Sequence, residues 1–382
     1  MKVVYIVHST AMSGAAISFF NMISSLKNKG VEPIIFCPDR DERFIHLLEE
    51  QDIQYFIIPI VMSVYPCLTS LKSLVKYPFR LLRLFFEKKR SYKAMYSLIK
   101  QLNPDIIHSN VGVIHEGYQV ASKLDIPHVW HIREYQTTDF NWKIFPSYNC
   151  FCRMLEKSYV IFITEDLKSY FSRSVSKNNN YYVIYNGILH SSDIHYNAKE
   201  KYFLCASRIE ETKGHTDVVI AFSEFHKSYP DYLLYILGFG DPEYICFLKD
   251  KAKQLGCYDS IIFKGYQDNK VVIDYMSQAK ALIVASKNEG FGRMTAESCF
   301  SGCLVIGRNT GGTKEILTNT GGFTFADTGG LTQQMVKVSN LTEPEYKSLA
   351  LKAQHIAVRD YSIEQNVDSI FTLYKNIQLI HE

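Results

Sequence analysis

The sequence predicts an α/β protein made of two doubly wound parallel-sheet domains, and three observations carry that prediction. The chain has 382 residues, enough for two domains or one large one. Short, nearly all-apolar runs alternate with helical patterns along most of it, as strands buried on both faces should. The alternation breaks once, near residue 190, and then restarts.

In the first half, residues 3–7, 32–37, 55–58, 105–108, 128–131, 160–164 and 182–185 read as strands. Residues 16–29, 41–51, 68–89, 92–102, 114–123 and 166–174 carry helical spacing. Pro78 should kink or restart its helix, because proline has no N–H and its ring crowds the preceding turn. Asn186-Gly187 follows a strand and opens a polar stretch, 189–199, rich in Ser, His, Asp and Asn, which reads as a linker. Strands at 203–206, 232–237, 261–263, 281–285 and 304–306 follow, with helices around 216–228, 242–255, 269–278 and 293–301. A last helical stretch, 363–379, comes after the second sheet is complete. The predicted domains are 1–188 and 189–362, with the C-terminal helix of about 363–382 available to pack back on the first. Open α/β sheets bind ligands beyond their strand C-termini. The site is therefore expected in strand-end loops of both domains, across a cleft.

Hydrophobic residues make up 47% and charged residues 21%, as in a soluble globular protein. The formal charge of +3 is unevenly spread. Residues 1–190 hold 22 Lys/Arg and 16 Asp/Glu, net +6, and the remainder holds 20 and 23, net −3. The nine cysteines form no C-x-x-C pair. Cys150 and Cys152 are close, but no second pair or His cluster completes a zinc site, so the cysteines read as reduced core thiols. Met1-Lys-Val-Val-Tyr reads as a first strand and not a signal peptide. No uncharged run approaches bilayer-spanning length, and a cytoplasmic protein is expected.

The chemistry-bearing stretch is Ser286-Lys-Asn-Glu289-Gly290-Phe291-Gly292, between a buried strand and a helix. Gly290 and Gly292 let the backbone turn tightly and approach a ligand. The helix N-terminus offers N–H groups to an anion. Glu289 sits in the loop and Glu297 on the helix eight residues on; a carboxylate accepts two hydroxyl donors, so the pair suits vicinal diols such as those of a ribose or hexose. Spacing alone is explained equally well by a plain strand–turn–helix with two surface acids. Upstream, Ala206-Ser-Arg208-Ile-Glu-Glu-Thr-Lys213-Gly214 ends a strand with two cations five residues apart, a fork and a point charge suited to a diphosphate.

These stretches resemble glycosyltransferase family 4, the retaining group of GT-B fold with the E-x7-E motif. The resemblance takes in Glu289-Gly290-Phe291-Gly292 through Glu297, Gly302-Cys-Leu-Val-Ile, Gly311-Gly312-Thr-Lys-Glu315-Ile, and the Arg208–Lys213 segment. Ser298-Cys299 stands where the family usually has Ala-Met. Tyr185-Asn186-Gly187 resembles the family's hinge. Gly238-Phe-Gly240 and Gly265 resemble its strand-end glycines, which line the nucleotide base. In the first half, His8 to Ala16 resembles the family's small-residue loop beside donor phosphate and acceptor; Gly14 is glycine there, and Ala15 replaces the other. Asp105-Ile-Ile-His108 and His128-Val-Trp130-His131 match its His-ended strands, with Ile132 where Asp commonly stands. The resemblance places His131 near the transferred sugar and leaves His108 equally open to a structural role.

The resemblance implies a hexosyltransferase-type enzyme that uses a nucleoside-diphosphate sugar and retains anomeric configuration by a front-face mechanism. Arg208 and Lys213 would stabilise the leaving diphosphate, Glu289 would hold the sugar and Glu297 the ribose. No Asp-x-Asp metal motif is expected at a suitable strand end, and no metal or other cofactor is expected. The implied acceptor is a glycan or lipid-linked sugar, in bacterial cell-surface polysaccharide biosynthesis. Other readings are a nucleotide-sugar epimerase, a pyridoxal-phosphate phosphorylase and a non-catalytic scaffold. Residues 68–93 carry eight positive charges against one negative, with Leu68, Leu71, Leu74, Val75, Leu82, Phe85 and Phe86 at helical spacing. This reads either as a core helix with a solvated basic face or as a peripheral attachment to an anionic membrane surface. Nucleic acid explains it less well, since no recognition module accompanies it.

Overall fold

The computed structural model describes residues 1–12, 14–66, 71–136, 142–175 and 180–381; the side chains of 66 and 71–76 are not described. Ser13 and Leu68, and the side chains of Leu71, Leu74 and Val75, therefore lie outside the described residues. The chain divides into two compact units, Met1–Gly187 with Ile363–Glu382, and Ile188–Ser362.

The first unit is a seven-stranded parallel sheet. In chain order its strands are β1 (Lys2–Ile6), β2 (Glu32–Cys37), β3 (Gln54–Ile57), β5 (Ile106–Ser109), β6 (His128–Ile132), β8 (Tyr159–Phe162) and β9 (Tyr181–Val183). Across the sheet they run β3-β2-β1-β5-β6-β8-β9. All strands run the same way, but the connections after β1 and β5 turn to opposite sides of the β1/β5 boundary, and such a switch point opens a crevice. β1, β5, β6 and β8 are almost wholly buried, which is why they read as apolar runs rather than alternations. Helix α1 (Gly14–Asn28) covers one face, and its buried residues Phe19, Met22, Ile23 and Leu26 recur at helical spacing. The helix Ile363–His381 joins the same core through Ile363, Val367, Ile370, Leu373, Tyr374 and Ile377. A short antiparallel pair, β4 (Val64–Pro66) with β7 (Trp142–Ile144), has no counterpart in the sequence reading. It lies outside the strand–helix alternation that drives that reading.

The two helices expected at 68–89 and 92–102 form one, Leu71–Leu102, with Pro78 inside it. Buried Lys88, Ser91, Met95 and Ile99 keep one continuous stripe through the expected break, so packing carries the helix across Ser91. Pro78 lies in the helix interior, where proline forfeits one backbone bond, and the helix continues beyond it.

The second unit holds a six-stranded parallel sheet: β10 (Tyr202–Ala206), β11 (Leu233–Leu237), β12 (Ile261–Gly265), β13 (Ala281–Val284), β14 (Val305–Arg308) and β15 (Phe323–Phe325), in the order β12-β11-β10-β13-β14-β15. Its switch point lies between β10 and β13. Residues 184–201 are mostly irregular, as expected of a linker composition. The sequence reading misses β15 and three helices, Gly311–Thr320, Thr328–Ser339 and Glu343–Tyr361. The last had a legible start: Thr342 and Glu345 form a reciprocal capping box. The eight described cysteines are free thiols.

Candidate active site

The functional residues of the second unit collect at its switch point. β10 and β13 are neighbours joined by distant connections, so the chain after each diverges and leaves a hollow. A pocket of ≈ 220 Å³ lies there. Ser207, Arg208 and Lys213 line it from the loop after β10. Ser286, Glu289, Gly292, Arg293 and Met294 line it from the loop after β13 and the start of helix α2 (Arg293–Phe300).

Glycines let these loops close on one another. Gly214 has φ +74°, and a Cβ there would stand 2.3 Å from the Ala285 carbonyl oxygen. A Cβ at Gly238 would stand 1.9 Å from the Ser207 oxygen, and one at Gly240 would stand 2.0 Å from that of Ile209. Lys287 N–H donates to the Thr212 carbonyl at 3.0 Å, and Gly312 N–H to the Glu289 carbonyl at 2.8 Å. Gly292, at φ +88°, precedes α2 in a left-handed conformation that suits glycine. The loop bearing Glu289 is thus pinned on both sides.

Lys213 Nζ donates to Glu289 Oε1 at 2.7 Å, both side chains being mostly buried. Arg208 is largely exposed, and its contact with Glu210 is 3.6 Å. An exposed pair of that length contributes little, so the guanidinium fork is not tied down by it. Arg208, Lys213 and Arg293 set three cations against Glu289 on the pocket wall. With the N–H groups of α2, this is an anion-accepting surface.

Glu297 lies elsewhere. It is 1% exposed and does not line the pocket; its Oε1 accepts from Arg293 Nε at 2.8 Å, one helical turn back. Its Oε2 is buried with no partner in the structure. Burial raises its carboxyl above the ordinary range, and the Arg293 guanidinium opposes that rise. Phe291 is also buried, edge-to-face with Tyr361 at 5.9 Å, so its side chain serves the core. Gly290 sits in the turn between Glu289 and α2. Gly240 lines a second pocket of ≈ 510 Å³ with Phe239, Asp241 and Tyr244, and Arg208 borders both pockets. Gly265, at φ +68°, accepts from Gly238 N–H at 2.8 Å.

Gly14 and His131 belong to the first unit. Gly14 opens α1, and Ala15 lies in the helix's first turn rather than among the residues of positive φ. His131 is completely buried in β6, with Nδ1 3.4 Å from Arg133 Nη2 and Nε2 unpartnered. Burial, then Arg133 and His108, push its pKa well down, leaving a neutral imidazole. His108 stacks obliquely on it at 5.4 Å, and its Nδ1 contacts the Tyr374 hydroxyl at 2.5 Å.

The sequence reading missed Arg293. Its signal was available: Arg at i and Glu at i+4 on a helix face form a pair. That reading also overlooked an Asp-x-Asp, Asp39-Arg40-Asp41, just beyond β2. Asp39 accepts from Thr10 N–H and hydroxyl, and Asp41 caps the helix Glu42–Glu50. Both carboxylates are engaged in structure. Among the described residues no cluster of three or more His, Cys, Asp or Glu could hold a metal ion. No described helix is long and apolar enough to cross a membrane.

Residues 12–192 match the family described as Glycosyltransferase Family 4, and residues 190–342 match Glycosyl transferases group 1. The chain is 25% identical over 181 residues to the N-acetyl-alpha-D-glucosaminyl L-malate synthase of Bacillus anthracis, a match spanning 47% of this chain and 46% of that enzyme. In fold it is similar to a glycosyltransferase from Rickettsia africae, with TM-score 0.77, 20% identity and 98% of each chain covered. It is likewise similar to Anabaena HepE in complex with UDP, with TM-score 0.75, 16% identity, and 98% of this chain and 100% of that one covered. Two Rossmann-like parallel-sheet units, each matched by a glycosyltransferase family, mean that the chain belongs to the glycosyltransferases of GT-B fold.

Proposed function

We propose that the protein transfers a sugar from a nucleoside-diphosphate sugar, with retention at the anomeric carbon, to a glycan or lipid-linked acceptor in bacterial cell-surface polysaccharide synthesis. The observation that carries the reading is the pocket at the β10/β13 switch point, where Arg208, Lys213 and Glu289 line one hollow beside a helix N-terminus. A nucleoside-diphosphate sugar needs cations for the diphosphate and a carboxylate for sugar hydroxyls, and both are present within one unit. Similarity to a protein that binds UDP makes uridine the first base to test.

In this reading Arg208 and Lys213 bind the diphosphate and stabilise it as it gains charge on leaving, where fixed charges lower a barrier most. Glu289, held by Lys213, accepts hydroxyls of the transferred sugar. Glu297 acts on the ribose side, where its Oε2, buried without a partner, is the group a hydroxyl would satisfy. Phe239, Gly240 and Gly265 lie on the base side, and Gly14 on the acceptor side. His131, kept neutral by burial, takes part as a hydrogen-bonding group and not as a proton donor of ordinary pKa. No metal is assigned to the reaction.

A thermal-shift screen of nucleoside diphosphates and their sugars tests the reading, because a ligand bound only to the native state raises the melting transition by mass action. The preferred nucleoside diphosphate should lose its effect in Lys213→Ala, and the further shift given by its sugar should be lost in Glu289→Ala. Turnover of a sugar nucleotide by Glu289→Ala at the parental rate would refute the assignment, and interconversion of free sugar nucleotide without acceptor would favour an epimerase.

A further inference from the structure

The helix Leu71–Leu102 bears an apolar surface that the described residues leave uncovered. Phe79 is 75% exposed, Leu82 55%, Phe85 54% and Phe86 59%. These four large side chains fall within eight residues on one helix. Phe79, Leu82 and Phe86 recur at i, i+3 and i+7 and so share a stripe. Buried Lys88, Ser91 and Met95, with half-buried Leu84, define the opposite, core-facing stripe. The exposure is therefore not a frayed edge of the core contact: a second face looks to solvent. Tyr77 packs on Tyr65 of β4 at 5.8 Å between ring centres, which anchors the start of the described face.

Charge surrounds these side chains. Arg80, Arg83, Lys89, Arg90 and Lys93 are exposed, and the only acid between 77 and 93, Glu87, is engaged by Arg83 at 2.7 Å. Contiguous exposed apolar groups rimmed by charge mark an interaction surface. Two copies packing through this face would oppose like charges in low dielectric, which disfavours self-association. A helix face is convex and offers no recess for a partner's anchor residue. A fluid surface needs no such recess: phenyl and leucyl side chains enter the acyl boundary while Lys and Arg stay with headgroups.

We propose that this face, Phe79 to Lys93, docks the protein on an anionic lipid surface. The proposal stands independently of the reaction assigned to the second unit, whose pocket residues it does not involve. Binding combines apolar insertion with attraction to anionic headgroups, each cation contributing about fivefold in partition.

The test is cosedimentation of the full chain with phosphatidylcholine vesicles, with and without phosphatidylglycerol, at low and high salt. The parent should bind the anionic vesicles strongly, the neutral ones weakly, and lose binding as salt rises. The variant Arg80→Gln/Lys89→Gln/Arg90→Gln/Lys93→Gln should lower partition into anionic vesicles by more than about a hundredfold. The variant Phe79→Ser/Phe86→Ser should weaken binding to both vesicle types. All these side chains are exposed, so both variants should melt as the parent does. Three results would overturn the proposal: equal parental binding to neutral and anionic vesicles, or none to either; a charge variant that binds like the parent; or a lipid-free dimer of the parent that Phe79→Ser/Phe86→Ser dissolves.

Discussion

Gly312→Ala sets two physical effects of opposite sign against each other at the candidate site. Gly312 is the second residue of the helix Gly311–Thr320. Helix propensity alone makes alanine there more favourable by about 1 kcal/mol. The tertiary contact says otherwise. A Cβ at Gly312 would stand 2.1 Å from the Phe291 carbonyl oxygen and 2.4 Å from its carbon, where ordinary contact begins at 3.4 Å. Both contacts are backbone, so a side-chain rotation cannot relieve them, and the loop or the helix must give by about 1 Å. Overpacking of this kind costs about 1–3 kcal/mol, which exceeds the propensity gain over most of its range. The expected net change is a loss of up to about 2 kcal/mol, or a melting temperature lower by up to about 8 °C. The same shift moves Glu289, whose carbonyl accepts from Gly312 N–H at 2.8 Å. A reacting group misplaced by about 1 Å loses on the order of a hundredfold in turnover. Calorimetric melting and release of nucleoside diphosphate from the donor are the two assays. Gly329→Ala is the control, since its Cβ would meet only Asp327 Oδ1 at 3.5 Å. It should stabilise slightly and leave turnover unchanged. A Gly312→Ala protein that melts at or above the parent and turns over at the parental rate would refute the reasoning.

Lys213→Ala and Glu289→Ala should each reduce turnover by about 10²–10³-fold while leaving circular dichroism unchanged, because the pair at 2.7 Å borders a pocket and not the core. Glu297→Gln tests the buried carboxylate by pH. Burial raises its folded pKa, so its contribution to stability is fully present below the ordinary carboxylate range and is lost as pH rises through the raised value. The stability of the parent relative to Glu297→Gln, from urea unfolding, should therefore fall as pH rises above about 4, with a slope of up to about 1.4 kcal/mol per pH unit; a flat or rising difference would contradict it. Tyr374→Phe removes the hydroxyl that contacts His108 Nδ1 at 2.5 Å and Tyr5 Oη at 3.2 Å. It should cost about 1–3 kcal/mol in chemical denaturation, and a neutral outcome would mean that the buried polar chain does not stabilise the unit.

The elements most legible in the sequence were the ones whose local pattern and final environment agree. β1, β5, β6, β10 and β13 are buried on both faces, so each shows as an apolar run. β15 is Phe-Thr-Phe directly after Gly321-Gly322, so no continuous apolar run marks it. The sequence suggests two helices in place of Leu71–Leu102 because a polar run at 87–91 interrupts the local pattern, whereas long-range packing of Met95 and Ile99 sustains it. At the site, Arg208, Lys213, Glu289 and Gly292 were all nameable in advance and line one pocket. Arg293 was not, because its role depends on a partner one turn away that burial selects.

By itself the sequence determined that two α/β sheets form and which cations and carboxylate follow their strands. Periodicity, turn glycines and residue type are local, and they suffice for that. Tertiary structure decided how the two acids of the Glu289–Glu297 pair differ. Eight residues apart in sequence they look equivalent. In the fold, Glu289 faces a pocket against Lys213, while Glu297 is 1% exposed, paired to Arg293 and left with one unsatisfied oxygen. That difference is a matter of solvent access and partner distance, which depend on which strands and helices pack together far along the chain.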